Sequence, residues 1–412
     1  MKMFNGNLQK HNFNMGELKV FDAFSGIGAL HQSLKELGIP ISVTNISEID
    51  VDAIISYAGI HIDNFDDLIF EYPSEDIMRE WLLNRNIGYS FEKQKSVIPR
   101  LKRDKLYKVY KASILLNNLG DISKINCEDI EDFDLMNFSF SCTDISNAGK
   151  KRGMTNEDGT PTRSGLYVYG MEIIKKKKPK YIMIENVKGL IQKKFIDDFY
   201  GIINELDNVG YNCYYPKKEN GQPTCLNAKD YGIPQNRERI FIICIRKDID
   251  NSLFNFPQGF DSGLKLKDFL EDTVDEKYYL SQQVLEGNQF IDKKDRIQTF
   301  RETKNYIQWD TSGKQYNSQV DRACYEYGYI NTIPASLTYD KCKVITKEEN
   351  NLRIRKLTSK ECWRLMGFTD ECFEKAKALG VVDTALYKQA GNSIVINCLY
   401  YIFKELFKEY IV

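Results

Sequence analysis

Cys142 stands at the end of an apolar, aromatic-rich run, FDLMNFSFS, where the chain turns polar in CTDIS. A run of this length bounded by polar residues reads as a buried strand, and a thiol at its end is presented to a loop. Alone it has two readings, an inert core cysteine or a nucleophile, because free cysteine is among the most buried residue types. Glu185 closes a second apolar run within KYIMIENVKGL. Desolvation at the end of a buried strand raises a carboxyl pKa, which suits the group to hold or pass a proton. Arg237 and Arg239 lie just ahead of a third apolar run, IFIICIR. Two apart, they share one side of an extended chain. On residue type and spacing alone they read as surface ion pairs at a sheet edge.

Upstream the residue types suggest ligand binding. In FSGIG, Phe24 to Gly28, Gly26 and Gly28 allow a tight turn and close backbone approach at a helix N-terminus. Ala29, Leu30 and His31 follow, so the third glycine of a dinucleotide fingerprint is missing and a nicotinamide or flavin cofactor is disfavoured. Glu48 ends the run ISVTNISE some twenty residues on, where an acid can accept from ribose hydroxyls or simply be an exposed loop carboxylate. Asp121, after Gly120 in NLGDISKI, reads as a further strand-end carboxylate.

These groups need strands that end together. LKVFDAFSGIGALHQSLKELG reads as strand, glycine turn and helix, with Leu30, Leu34 and Leu37 on one stripe and Gly38 as the stop. TRSGLYVYGMEIIKKKKPK reads as an amphipathic helix with a lysine-rich end. Strands alternating with helices predict a doubly wound α/β sheet. Asp63 to Asn118 reads as an insertion with a basic, aromatic middle and no nameable chemistry. After Arg246 the chain becomes loop-rich, aromatic and polar, which predicts a smaller irregular β-containing domain. Thr358 and Glu361 have capping-box spacing, and LYKQAGNSIVINCLYYIFKELF reads as a glycine turn followed by a terminal helix. The expected division is 1–16 leader, 17–247 catalytic unit with the insertion at about 63–118, 248–353 second domain, 354–385 return helix and 386–412 closing segment.

Composition excludes several classes. The ten cysteines form no CxxC pair and there are three histidines, against a disulfide framework and against a metal site. No apolar run reaches membrane length and MKMFNGNLQKHNF lacks an apolar core, so a cytoplasmic protein without membrane attachment is expected. A net charge of −1 does not itself indicate a nucleic-acid partner, but KQKSVIPRLKRDKLYKVYK and GKKR are local basic stretches able to meet phosphates.

Taken in order, FSGIG, SCTDIS, ENV (Glu185 to Val187), QNRER (Gln235 to Arg239), RKLTSKECWRLMGF and QAGNSIV resemble the motifs of the DNA cytosine-5 methyltransferases. The resemblance implies a doubly wound, Rossmann-like S-adenosylmethionine-dependent methyltransferase domain with a smaller β-rich target-recognition domain. It implies Cys142 as nucleophile toward carbon 6 of cytosine, Glu185 at nitrogen 3, and Arg237 and Arg239 gripping the ring carbonyl and the carboxylate. It assigns S-adenosylmethionine to Phe24, Ser25, Gly26, Ile27, Gly28, Glu48, Ile49, Asp121, Ile122, Leu166, Asn392 and Ser393. Ser146, Lys150, Lys151, Arg152, Arg163 and Thr338 are implied contacts to double-stranded DNA. A cognate restriction endonuclease and a monomeric enzyme are implied as well. Ser141 and Thr143 stand where the family has proline and glutamine, and Ile49 where it often has an aromatic. Three rival readings are an RNA cytosine methyltransferase acting on transfer RNA, a catalytically impaired DNA-binding module and a small-molecule methyltransferase. The last leaves the arginine pair and the second domain unexplained.

Overall fold

Short continuous apolar runs, buried on both faces, build the centre of the molecule, seen in a computed structural model that describes residues 8–140, 164–280, 306–308, 322–335, 342–348 and 351–412. The strands of the first part are β1 (Leu18–Ala23), β2 (Ile41–Ser47), β3 (Tyr89–Ser90), β4 (Lys95–Ser96), β5 (Leu135–Phe138), β6 (Tyr181–Val187), β7 (Tyr211–Tyr214), β8 (Leu226–Asn227), β9 (Gln235–Asn236) and β10 (Glu238–Arg246). Seven of them form one sheet in the order β2-β1-β5-β6-β10-β7, with β8 also paired to β10. β2, β1, β5 and β6 run parallel, and β10 is antiparallel to both its long neighbours. The start of β10 therefore lies at the carboxyl end of β6.

Both faces are covered, as the doubly wound reading requires. On one side lie α1 (Ala29–Leu37) and α2 (Val51–His61). Leu30, Leu34 and Leu37 of α1 share a buried cluster with Ile243 and Ile245 of β10 and with Leu399, Ile402 and Phe403 of the last helix. α3 (Glu75–Asn84) and α4 (Arg103–Leu115) join the same cluster through Met78, Leu82, Leu106 and Val109, so the expected insertion is part of the core. On the other side α5 (Tyr167–Lys177) and α6 (Ile196–Val209) bring Met171, Ile174, Phe199, Ile202 and Leu206 against Ile182, Ile184, Ile240 and Ile242. Each such side chain, fully buried, contributes roughly 1.5–3 kcal/mol.

Beyond β10, β11 (Tyr306–Gln308), β12 (Arg322–Tyr325), β14 (Lys343–Glu348) and β15 (Asn351–Lys356) form a separate four-stranded sheet, while β13 (Ile330–Asn331) pairs with β9. The boundary expected at Arg353 falls inside β15. The return segment is α7 (Ser359–Arg364), α8 (Asp370–Ala378) and α9 (Asp383–Asn392), rather than one helix, followed by α10 (Ile396–Leu406). The break between α9 and α10 comes at Ser393 to Val395, and Gly391, expected in a turn, is helical. The Thr358–Glu361 capping box is present.

Glu361 also meets Arg355 of β15 in a two-pronged pair, at 2.7 Å and 2.8 Å, with both side chains 2% exposed or less. The pair fastens the second sheet to α7. Removing one partner strands a buried charge, so Glu361→Ala is expected to cost on the order of 3–5 kcal/mol in urea unfolding. A loss below about 1 kcal/mol would show that the pair is dispensable.

Candidate active site

Strand order reverses between β1 and β5, and in open α/β sheets ligands occupy the crevice at the carboxyl ends there. The FSGIG loop leaves β1 at this edge. Phe24 (φ 56), Gly26 (φ 55) and Gly28 (φ 79) all take left-handed backbone. Gly28 is obligatory, since a Cβ there would lie 2.4 Å from His61 Nε2 and 2.9 Å from the Tyr57 ring. At Gly26 a Cβ would meet nothing within 4 Å, which leaves open space beside the backbone. Ser25 Oγ is buried with no partner among the described residues, and Ile27 is core. An orphaned hydroxyl beside an open glycine fits a polar ligand lying along the loop.

Glu48 follows β2 and faces this loop. Its Oε2 accepts from Gly26 N–H at 2.9 Å, and Oε1 accepts from Ile49 and Asp50 N–H at 2.7 Å each. Burial first, then Asp50, raises its pKa, and the three amide donors oppose that. The stretch before Asp121 forms a single bridge, Ile46 to Asn118, instead of the expected strand. Asn118 is nevertheless central: its Oδ1 accepts from Glu48 and Gly120 N–H at 3.1 and 3.0 Å, and its Nδ2 donates to Glu48 O at 3.0 Å. Asp121 caps the short turn Ile122–Lys124. Lys388 of α9 pairs with Asp50, so the QAGNSIV segment is tied to the end of β2. Within that segment Asn392 is exposed and Ser393 buried, whereas Leu166, at the start of α5, is half-buried against the cluster under β5 and β6. Glu48, Asn118, Asp121 and the glycine loop thus form one hydrogen-bonded rim at the carboxyl ends of β1 and β2.

The second cluster lies two strands away. Glu185, near the end of β6 and 12% exposed, pairs with Arg239 Nε at 3.0 Å. Burial pushes its carboxyl above the usual range, against the pull of Arg239 and then of Arg237. Arg237 is buried and spends its guanidinium on backbone: Nη1 donates to Ile333 O at 3.1 Å, and Nη2 donates to Gly391 O at 3.0 Å and Ser393 O at 2.7 Å. It therefore joins the chain just after β13 to the end of α9 and the turn behind it, while lending its charge to Glu185. Asn186 donates through Nδ2 to Phe140 O at 3.3 Å, binding the end of β6 to the chain two residues before Cys142. Cys142, Ser146, Lys150, Lys151, Arg152, Arg163 and Thr338 lie outside the described residues. Asn118, Asn186 and Lys388 are the site residues that sequence reading missed. Among these, only Asn186 lay inside a recognised motif, ENV.

Asp22, inside β1, is fully buried, and burial pushes its carboxyl up to about 7, opposed by donation from Asn137 Nδ2 and reinforced by the charge of Glu48. The folded chain thus binds a proton that the unfolded chain releases between about pH 4 and pH 7. Stability owed to this group is present at low pH and lost as pH rises through that window. Asp22→Asn should remove the loss, gaining as much as about 4 kcal/mol on the parent between the two ends of the window. Urea unfolding across that range checks it, and an equal pH slope in both proteins would refute it.

A sequence model of the family described as C-5 cytosine-specific DNA methylase matches residues 85–408. The chain is 35% identical to the Type II methyltransferase M2.ScrFI of Lactococcus lactis subsp. cremoris, covering 95% of this chain and 99% of that one. It is 27% identical to the orphan methyltransferase M.SPRI of Bacillus phage SPR, over 96% and 99%. Two solved structures share the fold. The methyltransferase EhMeth of Entamoeba histolytica has a TM-score of 0.59 at 16% identity, covering 96% of this chain and 99% of that one. The Dnmt2 methyltransferase of S. pombe has a TM-score of 0.57 at 18% identity, covering 95% and 98%.

Proposed function

The chain belongs to the C-5 cytosine-specific DNA methylases, and from that premise we propose that it methylates carbon 5 of a cytosine flipped out of duplex DNA, through a covalent bond to Cys142. S-adenosylmethionine would lie along Phe24 to Gly28, its ribose on Glu48 and its adenine toward Ile49, Asp121 and Ile122, with Leu166, Asn392 and Ser393 closing the pocket. When bound, it supplies an electrophilic methyl group on a sulfonium.

The chain's own residues then act on the cytosine ring. Cys142 thiolate adds to carbon 6, which makes carbon 5 enamine-like and reactive toward that methyl. Glu185, whose raised pKa favours the protonated form, holds or delivers the proton at nitrogen 3 as charge builds on the ring. Arg239 orients Glu185 from 3.0 Å and offers its remaining donors to the ring carbonyl. Loss of the carbon 5 proton and elimination free the thiol. Flipping costs on the order of a few kcal/mol, offset by phosphate and base contacts. Ser146, Lys150, Lys151, Arg152, Arg163 and Thr338 are the candidates for those contacts, and the unit at 248–353 reads the sequence. Its biological role would be to protect DNA from a restriction endonuclease.

The observation that carries this reading is the order of the strands. β5, whose chain continues to Cys142, lies between β1, which bears the glycine loop, and β6, which bears Glu185. The test is transfer of labelled methyl from S-adenosylmethionine to unmethylated duplex DNA and, in parallel, to transfer RNA, followed by bisulfite sequencing. Methylation in one short DNA context supports the proposal. Methylation of RNA alone would overturn its substrate.

A further inference from the structure

The turn that ends α3 touches Asp121 and the residue next to Glu48. Asn86 and Ile87 N–H donate to Leu83 and Leu82 O at 3.0 Å each, which closes the helix. Asn86 (φ 52) and Gly88 (φ 75) then take left-handed backbone, which asparagine and glycine tolerate. Gly88 N–H donates to Ile49 O at 2.7 Å, next to Glu48, and Asp121 N–H donates to Arg85 O at 2.9 Å. Gly120 lies so close that a Cβ would stand 2.3 Å from Arg85 O. Across this contact Asn86 Nδ2 donates to Asp121 Oδ2 at 2.9 Å. Asp121 Oδ1 is already taken by Ser123 N–H at 3.0 Å and Ser123 Oγ at 2.8 Å.

We propose that Asn86 is a positioning residue for cofactor recognition: its amide fixes Asp121 so that one acceptor position, on Oδ2, faces the adenine and selects an amine donor. A carboxylate oxygen has two acceptor positions, and three of the four on Asp121 are filled from within the chain. The remaining one accepts from an exocyclic amine and repels a carbonyl oxygen. Asn86 thus gives the segment between β2 and Asp121 a function in selecting the base. The inference rests on the pocket being the S-adenosylmethionine site.

The test is calorimetric binding of S-adenosylhomocysteine and S-inosylhomocysteine to the parent, Asp121→Ala, Asn86→Gly and Asn86→Asp. Asp121→Ala should bring the adenosyl-to-inosyl preference close to one. Asn86→Gly, which keeps the turn and removes only the amide, should lower that preference about five- to tenfold and raise KM for S-adenosylmethionine while leaving kcat within about twofold. Asn86→Asp, with a like charge against Asp121, should lower it as well. If Asp121→Ala keeps the parent's preference, the pocket reading itself falls. If Asp121→Ala loses the preference but both Asn86 variants keep it, Asn86 is structural only and the proposal is overturned.

Discussion

A Cys142→Ala enzyme is expected to transfer methyl groups to duplex DNA at least about 10⁴-fold more slowly than the parent, since the nucleophile opens the only low-barrier route. Carbon 5 of an intact cytosine ring is a poor nucleophile, and alanine leaves nothing to add at carbon 6. Orientation by Glu185 and Arg239 would survive. Binding of S-adenosylhomocysteine and of DNA should therefore change little, and the loss should fall on kcat. A duplex carrying 5-fluorocytosine separates this from misfolding. Once the methyl group has been transferred, fluorine cannot leave carbon 5 as a proton does, so with S-adenosylmethionine present the parent should stay bonded to that DNA through denaturing electrophoresis. The variant should not. A residual rate within tenfold of the parent would rule out covalent addition by Cys142.

Glu185→Gln is expected to lower kcat by about 10²–10⁴-fold, the usual range for a general acid. Glutamine keeps the size and a hydrogen bond to the ring but has no proton to deliver. It also leaves Arg239, now 3.0 Å from the Glu185 carboxyl group, facing an amide. Single-turnover methyl transfer at saturating DNA and cofactor measures the chemical step directly. If the variant turned over at the parent's rate while binding DNA normally, Glu185 would hold the base without moving its proton.

Much of the site was legible because certain residues can do certain things locally. Gly26 and Gly28 announced a tight turn, and both take left-handed backbone there. Thr358 and Glu361 announced a capping box through spacing alone, and it formed. Glu185 and Arg239 were recognisable by type at the edge of apolar runs, and β10 brings them together because it enters the sheet antiparallel to β6. Phe24 was read as a contact, yet its positive φ had no sequence signal, since non-glycine residues seldom adopt it. Asn86, Asn118 and Lys388 were invisible for another reason. Each works by reaching a group far away in the chain: 35 residues for Asn86 to Asp121, 70 for Asn118 to Glu48, 338 for Lys388 to Asp50. A neutral amide or a lysine carries no local pattern that names such a partner.

The packing of α10 on α1 also governs how the molecule can be made. The helix that follows the glycine loop rests on one formed some 360 residues later, with the second sheet made in between. Residues 12 to 14 lie against 410 to 412, where Asn14 N–H donates to Tyr410 O at 2.7 Å and Val412 N–H donates to Asn12 O at 3.0 Å. On the ribosome the apolar stripe of Leu30, Leu34 and Leu37 lacks the cover of α10 until that helix emerges. Such distant contacts make folding slow and leave the nascent chain prone to aggregate. Methylation competence therefore arrives late and all at once, and joining residues 12 and 412 while opening the chain elsewhere would move that moment without altering the site.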